Sequence, residues 1–548
     1  MVLPPPNKLL GIDGPYDEWY PAQDEAVDAV LKFLKGSKRV MGLSAPTGAG
    51  KSVIAMCAAK LSDRRTVYLT STKGLQNQIY GDFSALGMSL IMGQNSYQCI
   101  AEGAQDGGFV SADEGPCREG WSCPHKGMGC PYYDKLRQAL QSGLVVTNYH
   151  YYLAQTYYTE EGLGDIDLLI CDEAHLTWNA MESHLSLSLK KGELENTGCH
   201  YPEKGFAKWS EWRKWAQTQR SKAAELATRY KAEINELRDS QEDVPPKLRR
   251  AFREATSLER KLDSLGSSAG DWVWERKSYT ERSGVQVNVW EMSPIWVATY
   301  TYPRLFRNVP KIVCMSAVLT EKTMRILGVL QDEMEFLEMP SYFPKENNPI
   351  YHVPTVRMNR HTTEDEMKAW VSRIDQIIGR RLDRKGIIFT VSYERARLIL
   401  ANSKYADVMI THQTRNITEQ IRKFKRSEPP KVLVSPAVTT GFDFPGRECS
   451  YAIVGKVPYP DTRDLVTQAR QDIDPTWTSW MAMDTLVQEC GRGFRGPDDF
   501  LEVIVIDDSV SWYWRQYKGF APEWFRERYL GRVAVIPEPP SINGKGGA

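Results

Sequence analysis

Short apolar runs that each end in a polar or glycine-containing turn are the feature that most restricts how this 548-residue sequence can fold. Such runs are typical of strands in parallel sheets covered by helices on both faces, and the helix-patterned stretches between them fit crossover connections. They fall into two sets, RVMGLSAP, TVYLTST, LVVTN, IDLLICDEAH and KIVCMSA before residue 320, and KGIIFTVS, KVLVSPAV, YAIVGKV and EVIVIDD after it. The sequence therefore predicts an α/β protein with two doubly wound parallel-sheet domains.

Two stretches interrupt this alternation. Residues 99–139 are rich in glycine and hold four of the ten cysteines. Residues 186–292 are highly charged, and their apolar side chains recur every three or four positions, with Pro245 and Pro246 between two predicted long helices. The simplest interpretation of the second stretch is a solvated helical hairpin. The C-terminal residues 535–548 are expected to be disordered.

Composition limits the class of protein. The 69 Lys and Arg residues balance 69 Asp and Glu residues, so any contact with nucleic acid is expected to be local, in a groove. Ten cysteines are too few for a disulfide framework in a chain of this length, and the first residues show no secretory signal pattern. There is also no run of eighteen apolar residues. We therefore expect a cytoplasmic protein that does not engage a membrane.

The segment SAPTGAGKS, Ser44 to Ser52, follows an apolar run and precedes a helix-compatible stretch. A glycine-containing loop in this context turns backbone N–H groups toward phosphate, and the helix N-terminus adds partial positive charge. Lys51 is predicted to reach the β- and γ-phosphates and Ser52 to ligate magnesium. The predicted nucleotide-binding residues are Ala45, Pro46, Thr47, Gly48, Ala49, Gly50, Lys51 and Ser52, with Ala45 at the position where the common pattern has glycine.

An acidic pair supplies the second half of a nucleotide site. In LLICDEAH, Asp172 and Glu173 directly follow an apolar run. Asp172 can hold magnesium, and Glu173 can polarise the attacking water. Because a phosphate loop precedes this pair in the same chain, the sequence predicts hydrolysis of ATP with Mg²⁺ as cofactor.

The segment QECGRGFRG supplies positive charge in the second domain. Gln488, Arg492 and Arg495 are spaced by four and three residues, which would place them on one face of a helix. They are predicted to act across an interdomain cleft, the arginines as fingers that stabilise the transition state. The alternative is a surface helix with two salt-bridged arginines.

In their order along the chain, these segments resemble the helicase motifs of superfamily 2. YDEWYPAQDEAV resembles a Q-motif, SAPTGAGKS motif I, TSTKGLQNQ motif Ia, DEAH motif II, MSAVLT motif III, SPAVTTGFDFPG motif V and QECGRGFR motif VI. CPYYDKL, VVTNYHYYL, GFDFPG and the position of the cysteine segment are similar to the iron-sulfur helicases related to XPD and DinG. The resemblance implies a DEAH-box ATP hydrolase with two RecA-like domains. It would translocate on single-stranded DNA, 5′ to 3′, and unwind duplex in repair, replication or recombination.

The resemblance also implies further site residues. Gln23 would read the adenine, and Gly441 and Asp443 would contribute to the nucleotide site. Four cysteines, Cys99, Cys117, Cys123 and Cys130, would ligate a [4Fe-4S] cluster. A zinc ion remains an alternative because four thiolates also suit it, although zinc sites usually offer two short C-x₂₋₄-C pairs and the gaps here are seventeen, five and six residues. Unliganded core thiols are the other alternative.

With the resemblance, the chain divides into a first helicase domain, two inserts and a second helicase domain. The first domain would comprise 1–98, 140–185 and 293–320, interrupted by an iron-sulfur domain at 99–139 and a helical arch at 186–292, and the second would span 321–534. The implied partners are single-stranded and forked DNA, with a possible protein partner on the arch, for a monomeric enzyme. Two other functions stay open: an ATPase that remodels or anchors a protein complex, and a DEAH-type RNA helicase.

Overall fold

The computed structural model describes residues 3–12, 16–101, 110–115, 117, 123–159, 161–242, 244–281, 284–436, 442–494, 496 and 498–539. The strands are β1 Val40–Ser44, β2 Thr66–Thr70, β3 Ser89–Leu90, β4 Leu144–Asn148, β5 Leu168–Asp172, β6 Leu187–Lys190, β7 Trp272–Thr280, β8 Gln286–Pro294, β9 Lys311–Ser316, β10 Met334–Glu338, β11 Ile350–Val356, β12 Lys385–Phe389, β13 Met409–Thr411, β14 Lys431–Ser435, β15 Tyr451–Val454, β16 Glu502–Asp507 and β17 Tyr529–Arg532.

Helices connect and cover these strands. They are α1 Pro6–Leu10, α2 Gln23–Lys35, α3 Lys51–Ser62, α4 Lys73–Phe83, α5 Pro131–Gln141, α6 Tyr149–Tyr158, α7 Thr177–Leu185, α8 Lys191–Asn196, α9 Trp209–Asp239, α10 Pro246–Gly266, α11 Ala298–Tyr300, α12 Glu321–Ile326, α13 Glu364–Gly379, α14 Tyr393–Asn402, α15 Ile417–Arg426, α16 Leu465–Ile473, α17 Trp477–Cys490, α18 Ser509–Tyr517 and α19 Glu523–Arg526. No helix in the described ranges is both long enough and apolar enough to span a bilayer.

Two seven-stranded parallel sheets form the framework, which confirms the predicted pair of α/β domains. The first sheet has the order β10-β1-β9-β5-β2-β4-β3, and the second β13-β14-β12-β15-β16-β11-β17. Central strands such as β1, β5 and β16 are buried along their whole length, because helices cover both faces. In the first sheet β9 lies between β1 and β5, so the loops after these three strands meet at one edge.

The first sheet extends past residue 320, where the sequence had suggested the start of the second domain. The strand β10 pairs with β1 in parallel, from Val40 opposite Met334 to Ser44 opposite Glu338. Its sequence MEFLE carries two charged side chains because β10 is an edge strand with exposed positions. That composition differs from the apolar runs of the central strands, so the prediction did not include it.

The charged stretch between residues 186 and 292 contains a helical hairpin and a small sheet. Helices α9 and α10 are long and separated by a short turn ending at Pro245. The same stretch also forms a three-stranded antiparallel sheet of order β6-β8-β7. The sequence analysis did not predict this sheet. The indole ring of Trp209 on α9 stacks on that of Trp272 on β7, with ring centroids 4.8 Å apart. The hairpin therefore rests on the sheet through tryptophans.

Part of the C-terminal segment predicted to be disordered is ordered. Ile536 is buried, and the main-chain carbonyl of Pro537 accepts a hydrogen bond of 2.9 Å from the Arg381 guanidinium. The burial of Ile536 offsets part of the conformational entropy that is lost when this segment becomes ordered. The polar residues nearby make no such contribution. Residues 540–548 lie outside the described part of the chain.

A buried arginine joins the two sheet domains. Arg470, on α16 of the second domain, donates a 2.6 Å hydrogen bond to the carboxylate of Glu182 on α7 of the first. It donates another of 2.6 Å to the Ile295 carbonyl. Its guanidinium carbon lies 4.8 Å from the ring centroid of Trp178 and 5.1 Å from that of Trp477. Aromatic faces replace water around the cation.

Replacing Arg470 with alanine is expected to lower the free energy of unfolding by about 3–5 kcal/mol, because the mostly buried Glu182 carboxylate would lose its partner. Denaturant unfolding of the full chain measures this change. Arg463→Ala is the matched control, since the Arg463 side chain is 90% exposed beside Asp461 and its loss should change stability little. Equal effects of the two substitutions would contradict the structural role of Arg470.

Candidate active site

The predicted phosphate loop connects β1 to α3. Gly48 and Gly50 adopt positive φ angles of 82° and 72°, and α3 begins at Lys51. Ala45 does not have a positive φ, and its N–H donates to the Ser316 carbonyl at 3.0 Å. The first position of this loop therefore does not require glycine, which explains why alanine is accepted there.

Gln23 supports the loop from α2. Its side chain is buried, and Nε2 donates to the Ala49 carbonyl at 3.2 Å. Its Oε1 accepts a hydrogen bond of 3.2 Å from the Tyr20 N–H. Both polar ends of the side chain are thus engaged by the main chain, and adenine recognition by Gln23 stays a prediction.

Asp172 ends β5 at the edge of the sheet where the loop lies. Oδ2 accepts a 2.9 Å hydrogen bond from the Tyr68 hydroxyl, and Oδ1 accepts one of 2.9 Å from the Glu173 N–H. Burial, together with the charge of Glu173, raises the pKa of Asp172 to about 6, while the charge of Lys51 opposes this rise. Burial also raises the pKa of Tyr68, so its hydroxyl keeps its proton and donates.

His175 links this acidic pair to the second domain. Burial lowers the pKa of His175 to about 4, so its imidazole is neutral. The Gln488 amide nitrogen lies 3.2 Å from Nε2, and Ser316 Oγ lies 2.7 Å from Nδ1. Since an amide N–H can only donate, Nε2 accepts and Nδ1–H donates to Ser316. Glu173 Oε2 lies 3.3 Å from the same Nδ1.

Arg492 continues this network within the second domain. Nη2 donates to Gln488 Oε1 at 3.0 Å, Nη1 donates to the Phe442 carbonyl at 3.2 Å, and Asp443 Oδ1 lies 3.6 Å from Nη1. The Arg492 side chain is 7% exposed, so it is not part of a surface helix. Its charge also contributes to the low pKa of His175.

The predicted helical face of Gln488, Arg492 and Arg495 is corrected by the structure. Helix α17 ends at Cys490, and Arg492 lies in the turn beyond it. The turn still brings Arg492 to Gln488. Arg495 and Gly441 fall outside the described residues.

The two domains are in contact at the phosphate loop. A Cβ atom at Gly491 would lie 3.0 Å from Thr47 Oγ1, so a side chain at this position would require Thr47 to shift slightly. The structure therefore brings together Thr47, Asp172 and Glu173 of the first domain with Gln488 and Arg492 of the second. This arrangement can hold a nucleotide between the domains and place positive charge opposite the acidic pair.

Sequence reasoning missed three members of this site. Tyr68 lies inside the apolar run TVYLTST, where nothing distinguishes it from a core tyrosine. Ser316 ends a similar run and contacts His175 only because β9 and β5 are neighbours. His175 itself carried a signal, since it is the last residue of DEAH.

The four cysteines singled out from the sequence form a second site. Cys99, Cys117, Cys123 and Cys130 border one cavity, beside Tyr133. All four are free thiols. Over the described ranges, no group of three or more His, Cys, Asp and Glu side chains is arranged to hold a metal ion. In the described part of the chain the four thiols thus border one cavity without being arranged as the ligands of a metal ion.

Comparisons with known families cover both sheet domains. The model of the helicase C-terminal domain matches residues 376–528, and that of the type III restriction enzyme res subunit matches residues 17–188. A probable ATP-dependent helicase of Methanocaldococcus jannaschii is 22% identical, over 96% of this chain and 97% of its own. The ATP-dependent DNA helicase YoaA of Haemophilus influenzae is 24% identical, over 31% of this chain and 35% of its own.

Solved structures share the fold. A structure described as an XPD helicase superposes with a TM-score of 0.60 at 16% identity, covering 94% of this chain and 99% of its own. The Xpd4 structure of S. tokodaii gives a TM-score of 0.54 at 14% identity, covering 91% of this chain and 98% of its own. The two parallel-sheet α/β domains thus match the architecture of XPD-like helicase structures.

Proposed function

We propose that this chain, which is an ATP-dependent helicase, moves along single-stranded DNA in the 5′ to 3′ direction and separates duplex. The observation that carries the proposal is the hydrogen-bonded series from Arg492 through Gln488 to His175, which connects the second domain to the acidic pair of the first. A change at the nucleotide can pass through these contacts to the relative position of the domains.

Each residue of the site has a role in this proposal. Lys51 and the loop N–H groups bind the phosphates, and Arg492 adds positive charge when the cleft closes. Ser52 and Asp172 would hold magnesium, which neutralises charge that develops on the phosphates. Glu173 orients the attacking water and accepts its proton.

Hydrolysis is coupled to movement by the same contacts. When the phosphate that holds the cleft closed is lost, the hydrogen bond between Gln488 and His175 can break and the domains can separate. A single strand bound across both sheets would then advance in each cycle. The neutral imidazole of His175 suits this exchange, because a neutral hydrogen bond costs less to break than an ion pair.

DNA is proposed as the substrate because of the resemblance to the DNA helicases, together with the partial likeness to a relative named as a DNA helicase. We place its work in repair, replication or recombination on the same basis. The test is the rate of ATP turnover with single-stranded DNA, with RNA of the same sequence, and with neither. Stimulation by DNA supports the proposal, stimulation by RNA alone would indicate an RNA helicase, and no stimulation would favour an enzyme that remodels proteins.

We further propose that Cys99, Cys117, Cys123 and Cys130 hold a [4Fe-4S] cluster. The support is that four thiols border one cavity, since a cluster of four irons occupies space between its ligands. A single zinc ion needs thiolates that all come within about 2.3 Å of one point. The visible absorption spectrum of anaerobically purified protein, with iron and zinc counted, decides between them: a brown protein with four irons supports the cluster, and a colourless one with one zinc contradicts it.

Arg492→Ala is expected to lower ATP turnover by roughly a thousandfold, because the transition state would lose a positive charge supplied by the second domain. Nucleotide binding to the first domain should persist, as measured by titration with a fluorescent ATP analogue. Arg447→Ala is the matched control, since Arg447 is an exposed arginine of the same domain. Normal turnover of Arg492→Ala would mean that this residue only stabilises the turn after α17.

A further inference from the structure

We propose that Tyr68 is a positioning residue that sets the geometry of the two magnesium ligands, an inference that rests on the proposed nucleotide site. Tyr68 is fully buried in β2, which pairs with β5, the strand that ends in Asp172. The Tyr68 hydroxyl is 2.9 Å from Asp172 Oδ2 and 3.5 Å from Ser52 Oγ. One hydroxyl thus lies between ligands that come from two separate segments.

The hydrogen bond fixes the rotation of the Asp172 carboxylate. The terminal torsion of an aspartate has broad preferences, so the side chain alone does not select one orientation. Here Oδ1 is held by the Glu173 N–H and Oδ2 by Tyr68, each at 2.9 Å. An ionised carboxylate has about four acceptor positions, so each oxygen keeps one for a metal or for water bound to it. Tyr68 thereby determines where the free position of Oδ2 points.

The contact with Ser52 adds a second constraint. Ser52 is the second residue of α3, and Asp172 is the last residue of β5. Because Ser52 is on a helix and Asp172 is on a strand, no sheet hydrogen bond joins these two positions. The Tyr68 hydroxyl lies between their side chains: its proton goes to Asp172 Oδ2, and its oxygen can accept from the Ser52 hydroxyl across 3.5 Å. Its loss would let the two ligands move independently.

If Tyr68 served only to pack the core, the hydroxyl would not matter for metal binding. The ring belongs to the apolar core on one face of the first sheet, among Leu43, Ile54 and Met315. Phenylalanine would fill the same space, so Tyr68→Phe removes the hydroxyl while it keeps the core packing. If packing were the whole role, the substitution would leave metal binding unchanged.

The experiment compares Tyr68→Phe with Tyr152→Phe. Tyr152 is a fully buried tyrosine of the same domain, and its hydroxyl donates to the Leu305 carbonyl at 3.1 Å, away from the nucleotide site. Mn²⁺ replaces Mg²⁺ as the probe because both prefer oxygen ligands. Electron paramagnetic resonance measures free Mn²⁺ in the presence of protein and ADP, and ATP turnover is measured against Mg²⁺ concentration.

We expect Tyr68→Phe to weaken Mn²⁺ binding about tenfold or more and to shift the Mg²⁺ requirement of turnover upward by a similar factor, the usual cost of losing a partner of a metal ligand. Excess Mg²⁺ should restore most of the turnover. Tyr152→Phe should bind Mn²⁺ as the unchanged protein does.

Unchanged Mn²⁺ affinity in Tyr68→Phe, or equal weakening in both variants, would overturn the proposal. The proposed function is judged separately. An unchanged protein that bound Mn²⁺ and ADP but showed no turnover of ATP would contradict that function, and the Mn²⁺ affinities alone would still decide the role of Tyr68.

Discussion

Lys51→Ala is expected to reduce ATP turnover by a thousandfold or more, about the upper end of the range for removing one preorganised charge-stabilising group. Lys51 begins α3 directly after the glycines with positive φ, at the point where phosphates would meet the helix N-terminus. Its positive charge opposes the rise in the pKa of Asp172, as expected for two side chains that lie near each other. A coupled assay of phosphate release measures the loss.

The matched control for this prediction is Lys60→Ala. Lys60 lies on the same helix, α3, but is exposed near its C-terminal end. It should retain normal turnover and folding. If Lys51→Ala kept turnover within tenfold of the unchanged protein, ATP would have to bind elsewhere, and the assignment of the loop from Ala45 to Ser52 would be wrong.

If the four cysteines hold the proposed [4Fe-4S] cluster, Cys130→Ser is expected to abolish the brown colour of the cluster and the proposed unwinding of duplex. A serine hydroxyl is a poor ligand for the iron of such a cluster, and three remaining thiolates would not hold it. Cys130 directly precedes α5, so loss of the cluster should loosen the segment from Cys99 to Cys130 without reaching β1 or β5. Hydrolysis of ATP stimulated by DNA should therefore persist in part.

Cys199→Ser tests whether any cysteine substitution has this effect. Cys199 is buried outside the cavity, and its thiol lies 3.6 Å from the Gln219 carbonyl, a contact that a hydroxyl can keep. This variant should keep colour and unwinding. A Cys99→Ser variant that stayed brown, when the other three cluster variants did not, would show that the most distant of the four ligands had been misassigned.

The strands that the sequence predicted are those buried on both faces. Every one of the nine apolar runs corresponds to a strand of the two parallel sheets. Five strands of the two parallel sheets were missed. Of these, β3, β13 and β17 have two to four residues, and β10 carries glutamates on an edge. The fifth, β11, is a seven-residue interior strand whose sequence IYHVPTV is interrupted by His352 and Pro354. A strand that is buried on both faces has a continuous apolar sequence, whereas an exposed edge strand does not.

In the candidate site, too, some features could be predicted from the sequence and others could not. The phosphate loop and the acidic pair are each formed by contiguous residues, so the sequence alone predicts them. The contact of Tyr68 with Asp172 depends on the order of strands in the sheet, and that of Gln488 with His175 on how the two domains meet. Neither follows from residue spacing. The antiparallel sheet under the helical hairpin was missed because charged, exposed residues dominate the second half of β7.

Unwinding of forked duplex DNA tests most directly the proposal that ATP hydrolysis at the interdomain site drives a single strand through the enzyme. A fluorescently labelled fork is mixed with the protein, ATP and Mg²⁺, and strand separation is followed for forks with a free 5′ or 3′ tail. We predict separation that needs ATP and a 5′ tail and that is absent in Glu173→Gln, which still binds ATP but cannot activate water. If ATP-hydrolysing protein separated neither fork, or if Glu173→Gln separated the fork equally well, the proposed strand movement would be contradicted.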